Sequence, residues 1–397
     1  MKETEKKDKT IRETDEKTGG HLVLFVRRNA VYIAVFLIGA AFLLAAGSFD
    51  WDRINSYTMY NNDSRTFVRG RVVSVDNERL ETDPYDHSRY LGEQELTVLI
   101  LEGDQKGDKV SIDNYLSQTH NIYVNANQKI IVCADMPEEA APYYTVFLPL
   151  GILVVVFAAV MLFVGKGKGL RALAGVVFTL LLVVLFMVQA IYHGFPPVIV
   201  SILTILTGTA VSLLLLNGCS RRTAVSALAT VLGVAVTGII FYISSKTLHL
   251  TGFNSDNAEE LLVIQGATGL SVRSLLIAGV LVSSLGAVMD VAVSLTAALM
   301  ELVTVDPSVT ARQVMKSGFN IGKDMIGTMS NTLILAFAGT ALNTMLVLTA
   351  YGVSRTQFIS PDYLAIELAQ GLCATIGVIL TVPITTGICA AMRISHR

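Results

Sequence analysis

The sequence predicts an α-helical polytopic membrane protein of about eight transmembrane helices, with a small extracytoplasmic β-barrel-like (OB-like) domain inserted between helices 1 and 2. Three observations predict it. Of the 397 residues, 52% are apolar and only 16% charged, with a mean hydropathy of +0.56; ordinary globular chains carry about 25% charged residues. The apolar residues gather into runs of the ~20 needed to span a bilayer. One stretch, residues 48–143, instead alternates apolar and polar residues and is rich in β-branched side chains, the pattern of strands.

Residues 1–28 are polar and mixed in charge and read as a disordered cytoplasmic tail. Arg27 and Arg28 then abut "NAVYIAVFLIGAAFLLAAG" (29–47), the first span, whose length and charged leader favour an uncleaved anchor over a signal peptide. Beyond the polar region come runs at 144–165, 172–192, 197–217 and 223–245. A long block from Leu261 follows, read as a span over about 272–300 preceded by a re-entrant segment over 261–271, because two glycines in "GATG" permit a break. Runs at 328–350 and 364–392 complete eight.

Orientation follows from the basic residues. With the N-terminus inside, the cytoplasmic loops hold Lys166, Lys168, Arg171, Arg221, Arg222, Arg312, Lys316, Lys323, Arg393 and Arg397, whereas the short outer loops hold Lys246 and Arg355. Both termini are therefore expected in the cytoplasm and residues 48–143 outside. Within the outer region, "TFVRGRVVSV", "QELTVLILE", "KVSIDNY" and "QKIIVCA" read as strands separated by turn-prone stretches. Its 9 basic and 17 acidic residues make an acidic, solvated surface.

Composition and motifs exclude several classes. Lysines and arginines are scattered or hug the apolar runs, so no nucleic-acid footprint exists and no nucleic-acid partner is expected. Four cysteines occur without CxxC spacing, and only Cys133 lies in the polar region, so neither a zinc site nor an internal disulfide there is expected. There is no HExxH, GxSxG or Walker motif. No catalytic residue, metal or cofactor is expected.

The chemistry lies in "SSLGAVMDVAVS" (283–294), where Asp290 stands within an apolar stretch. An ionisable group at membrane depth is costly and by default marks a pathway or a polar pair. Eleven residues advance a helix by about three turns plus 20°, so Asp290 and Glu301 share a face, joined by Ser283, Gly286 and Ser294. Gly279 and Ser283, then Gly286 and Asp290, have the small-xxx-small spacing that lets a second helix approach; Ser284 lies alongside. A second stripe, Asn320, Asp324, Gly327 and Asn331, follows the i, i+4, i+7, i+11 spacing of one face, with Lys323 beside it as a candidate partner for Asp290 or Glu301. Snorkelling into interfacial water is the competing reading of Lys323 and Asp324, and a buried locking pair is that of Asp290.

Three passages, "SSLGAVMDVAVSLTAALMEL", "GFNIGKDMIGTMSNTLILAFAGT" and "LTVLILEGDQKGDKVSIDNYLS" with "NIYVNANQKIIV", resemble the YibE/F family of bacterial multi-pass membrane proteins. The resemblance covers the chain from about residue 66 to its end. It implies a protein of the bacterial cytoplasmic membrane and carries no substrate with it. It also implies that Ser283, Ser284, Gly286, Asp290, Lys323, Asp324 and Asn331 stand at motif positions.

Two functional readings follow. In the first, a gradient-driven transporter or permease moves an ion or small polar solute through a site around Asp290, since no ATP-binding motif is present. In the alternative, a non-transporting sensor, scaffold or envelope-assembly factor acts through the outer domain. The expected partners are the lipid bilayer, the transported solute, and a second copy of the chain or an extracytoplasmic protein.

Overall fold

The computed structural model describes residues 67–119, 121–133, 143–144, 147–252, 258–352 and 362–394, together with residues 39 and 41. The expected tail 1–28 lies outside the described residues, as does the first apolar run 29–47 apart from Gly39 and Ala41. The chain divides into two compact units, residues 50–164 and residues 1–49 with 165–397.

In the first unit, β1 (Phe67–Thr82), β2 (Tyr90–Ile100), β3 (Lys109–Leu116), β4 (Lys129–Cys133) and β5 (Tyr143–Tyr144) form one antiparallel sheet in the order β3-β2-β1-β4-β5. Strict alternation sends Val68 and Val72 of β1 inward, where they meet Leu96, Val98, Ile100, Ile112, Ile130 and Val132. β1 pairs with β2 along most of its length and with β4 at its start, and two register shifts, at Val72/Ser74 and Val75/Asn77, mark bulges that raise local twist. The expectation of a barrel needs correction. Among the described residues the sheet is open, with β3 and β5 as unpaired edges, and β5 has only two residues with which to close it.

One buried polar cluster fixes the sheet's cover. Fully buried Gln94 donates to Glu78 Oε1 (2.7 Å) and the Val124 carbonyl (3.1 Å) and accepts from the Val124 N–H (3.1 Å) and Asn114 Nδ2 (3.0 Å). Asn114 also donates to the Ile122 carbonyl at 2.8 Å. Together they tie the strandless segment 121–125 across β2 and β3. At the surface, Ser74 and Thr97 donate to Asp76 and hold its carboxyl below the usual range, and Arg69 does the same for Glu102 at 2.6 Å.

The helical part begins with α1 (Phe147–Leu181), interrupted at Lys166 (φ 47, ψ −131) inside the sequence "GKGKG". Its stretch before the interruption is exposed on nearly all sides although almost wholly apolar. A π-helical segment (Leu182–Met187) and α2 (Val188–Tyr192) continue it. Pro197 opens α3 (Pro197–Asn217), where a missing N–H costs nothing. Ser220 caps α4 (Arg221–Thr247) by accepting from the Thr223 N–H.

The long apolar block is broken in two, α5 (Ala258–Thr268) and α6 (Val272–Val305), with Gly269 at φ 73 between them and Ser271 capping α6. Thr310 and Gln313 form a capping box that starts α7 (Ala311–Thr340), well before the expected run at 328. α7 bends by 50° into α8 (Leu342–Ala350), and α9 (Asp362–Ile394) continues through Pro383. Five helices among the described residues are long and apolar enough to cross a membrane, or six if the α7–α8 pair is one span.

α9 is the spine of the bundle, packing on α7, α4 and α6. Its contacts rest on close approaches at glycine. A Cβ on Gly233 of α4 would collide with Thr381 of α9 and lie 2.7 Å from Val288 of α6, and a Cβ on Gly377 of α9 would collide with Thr237 of α4. The two helices thus exchange Gly-xxx-Thr motifs, "GVAVT" and "GVILT", in antiparallel register. Each threonine satisfies its hydroxyl on its own glycine's carbonyl, Thr237 at 3.0 Å and Thr381 at 2.8 Å. On the next side of α9, Gly318 and Gly322 of α7 press on Thr386 and Val382. Small residues at such crossings replace the hydrophobic drive that lipid cannot supply.

Two outcomes test this packing. Gly377→Val and Gly322→Val should each destabilise the detergent-solubilised protein by about 1–3 kcal/mol through overpacking, whereas Gly279→Ala and Gly286→Ala, which meet open space, should be neutral or slightly stabilising in thermal melts. Gln94→Ala should sharply raise hydrogen exchange in residues 121–125, at a cost of about 1–3 kcal/mol for the donors and acceptors left unmet.

Candidate functional site

α6 carries the opening stripe. Its buried face, Ala278, Leu281, Leu285, Val288, Ala292, Leu295 and Leu299, packs into the bundle. The opposite face exposes Gly279, Ser283, Gly286, Asp290, Ser294 and Glu301. Ser283 turns its hydroxyl back to the Val280 carbonyl at 3.2 Å. Ser284 belongs to the other face: it is fully buried and donates to the Leu281 carbonyl at 3.1 Å. Among the described residues Asp290 has no hydrogen bond or ion pair.

α7 carries the second stripe. Its inner edge, Val314, Gly318 and Gly322, is buried against α9. Asn320, Lys323, Asp324, Gly327 and Asn331 are exposed, and among the described residues the side chains of Lys323, Asp324 and Asn331 have no partner. Thr328 and Thr332 on this side spend their hydroxyls on backbone carbonyls of their own helix.

One expectation needs correction. Glu301 pairs with Arg222, whose Nη2 donates to its Oε2 at 3.3 Å, and not with Lys323. The reason is register: Glu301 near the end of α6 and Arg222 at the start of α4 meet at the same end of the bundle, and Lys323 is about two turns further along α7 than the Gly318 contact with Leu299 and Thr386 would require. Asn331 makes no interhelical hydrogen bond among the described residues, because α7 turns its amide away from the α9 interface.

The glycine contacts do bring the two stripes to one depth. Gly322, the residue before Lys323, touches Val382; its neighbour Thr381 shares the Gly233 contact with Val288, two residues before Asp290. Within about one to two helical turns, Asp290, Lys323 and Asp324 occupy the same layer of the bundle, each on an outward face. A layer holding two carboxylates and an ammonium can take up and release a proton, bind a cation, or pair with a polar solute. Among the described residues no group of three or more metal-ligating side chains exists.

Residues the sequence reading passed over also shape the site. Arg222 counted only as an orientation marker, and nothing in its spacing to Glu301 reveals the pair. Gly233, Thr237, Gly377 and Thr381 could have been found from their matching Gly-xxx-Thr motifs. Arg273, whose Nε donates to the Leu250 carbonyl at 3.2 Å, ties the start of α6 to the end of α4.

A bundle of apolar helices with ionisable groups in one layer, preceded in the chain by a small antiparallel sheet, defines a multi-pass membrane protein. The chain matches the model of the YibE/F-like protein over residues 153–395 and that of the YibE/F family N-terminal domain over residues 66–145. It belongs to the YibE/F family. No curated protein and no solved structure shows a significant match.

The Arg222–Glu301 pair is exposed on both sides, 46% and 63%, so solvent screens it. Arg222→Gln or Glu301→Gln should cost less than about 1 kcal/mol in a thermal melt, and the effect should vanish in high salt.

Proposed function

We propose that this protein is a gradient-driven transporter or permease of the bacterial cytoplasmic membrane, moving a proton, a cation or a small polar solute past Asp290. One observation carries the reading: an exposed carboxylate with no partner among the described residues lies at the depth of Lys323 and Asp324. An unpaired charge facing hydrocarbon is too costly to keep, so intramembrane charges face a bundle interior or water. Ser283, Ser294, Asn331 and the glycines continue the polar surface on either side. Ser284 shapes the helix from behind, and Glu301 marks the cytoplasmic mouth. The remaining wall comes from a second copy of the chain.

Eight spans fit this reading. The helical stretch Pro149–Tyr192 has 44 residues, about 66 Å of helix and roughly twice the hydrocarbon thickness. Its interruption at Lys166 supports two spans there. α3, α4, α6, the α7–α8 pair and α9 add five, and residues 29–47 an eighth. The bias of arginine and lysine supports cytoplasmic termini and an outer sheet domain. The reading includes no enzymatic step and no cofactor.

The test is charge movement in proteoliposomes over a panel of monovalent and divalent ions and small polar solutes. Wild type should carry a flux that Asp290→Asn abolishes and Asp290→Glu partly restores, with unchanged melting temperatures in all three. Undiminished flux in Asp290→Asn would refute the site, and absence of any flux in well-folded wild type would refute transport.

A further inference from the structure

α3, α4 and α6 line an open cavity of about 480 Å³ on the side of the bundle away from the Asp290 stripe, with walls that include Val198, Ile202, Val231, Tyr242, Ser274 and Leu281. Its wall is apolar save for Tyr242 and Ser274, which lie at one end, near the C-terminus of α4 and the N-terminus of α6. From Val231 to Tyr242 the lining of α4 runs 11 residues, about 16 Å of helix, close to half the ~30 Å hydrocarbon core. The cavity is therefore one leaflet deep.

The same end carries positive charge. Lys246 lies one turn beyond Tyr242 with its Nζ 4.6 Å from the centre of that ring. Arg273 adjoins Ser274. No carboxylate occurs anywhere in the sequence between Glu139 and Asp256, so neither α3 nor α4 offers Lys246 an acidic partner. A hydrocarbon slot of one leaflet's depth, topped by an amphipathic ring, a hydroxyl and a cation, is complementary to an amphiphile with a negative head. Tyrosine and lysine are also the side chains that hold the headgroup level of a bilayer.

We propose that this cavity is a binding site for one anionic phospholipid of the surrounding leaflet, an acyl chain lying between α3, α4 and α6 and its phosphate held by Lys246. The tail fills space the helices leave open, so the lipid acts as a packing element between α3 and the α4–α6 pair. The site shares no residue with the Asp290 stripe and stands whether or not the chain transports anything.

Native mass spectrometry of the full-length protein, delipidated in detergent and titrated with palmitoyl-oleoyl phosphatidylglycerol or with the matching phosphatidylcholine, tests it. Wild type should retain one phosphatidylglycerol and prefer it to phosphatidylcholine. Ala235→Phe, which projects a ring into the slot, should lower binding of both lipids at least tenfold. Lys246→Gln, at an exposed helix end, should cut the preference for phosphatidylglycerol over phosphatidylcholine about fivefold. Equal binding of the two lipids by wild type would overturn the proposal, as would a preference that survives Lys246→Gln. A dimer that excludes lipid and dissociates on Ala235→Phe would overturn it too, placing a second copy in the slot.

Discussion

The bundle depends on one close contact, the exchange of Gly-xxx-Thr motifs between α4 and α9. Lipid tails are as apolar as leucine, so helices in a membrane gain little by hiding leucines from them and hold together by dense packing instead. Gly233 and Gly377 let the two backbones approach, while Thr237 and Thr381 fill the space each glycine leaves. Both hydroxyls are satisfied within their own helix, so the crossing carries no unmet polar group. Val288 of α6 enters the same contact, and Gly318 and Gly322 attach α7 to the adjoining side of α9. Four helices are fixed in depth by a handful of small residues.

That packing decides where the polar residues go. With the small and aliphatic faces of α6 and α7 turned to the spine, their remaining faces point outward, and those faces carry Asp290, Lys323, Asp324 and Asn331. The outer surface elsewhere is what a bilayer would accept: leucine, isoleucine and valine on α1, α3 and α4. A surface apolar on one side and carrying charge on another suits two different solvents, and the function proposed for the protein rests on that division.

Much of the architecture was legible in the sequence because membrane helices and half-buried strands have strong periods. The gap between the expected runs 144–165 and 172–192 falls on "GKGKG", where the helix is interrupted at Lys166. The strand readings near Phe67, Gln94, Lys109 and Gln128 fall on β1 to β4, because alternation fixes which side chains turn inward. Sheet closure was not legible, since it depends on pairing between distant edges and on a last strand of two residues. The start of α7 at Ala311 was missed because its first turns are amphipathic rather than apolar, although Thr310 and Gln313 spell a capping box.

The candidate site was legible by half. Helical spacing put Ser283, Gly286, Asp290, Ser294 and Glu301 on one face, and they share it. It could not say whether that face turned in or out, because burial depends on which neighbour takes the opposite side. Nor could it separate Ser284 from its neighbour Ser283 or find Arg222 for Glu301, 79 residues away.

The central claim is that the Asp290 face of α6 meets water at membrane depth. Single cysteines in an otherwise cysteine-free protein, at Ser283, Gly286, Ser294 and the buried Ser284, can be challenged in intact membranes with a charged, water-soluble thiol reagent. Reaction at the first three positions and protection at Ser284 is the predicted result. Equal inertness at all four would contradict the claim, leaving Asp290 sealed against another helix as a packing residue.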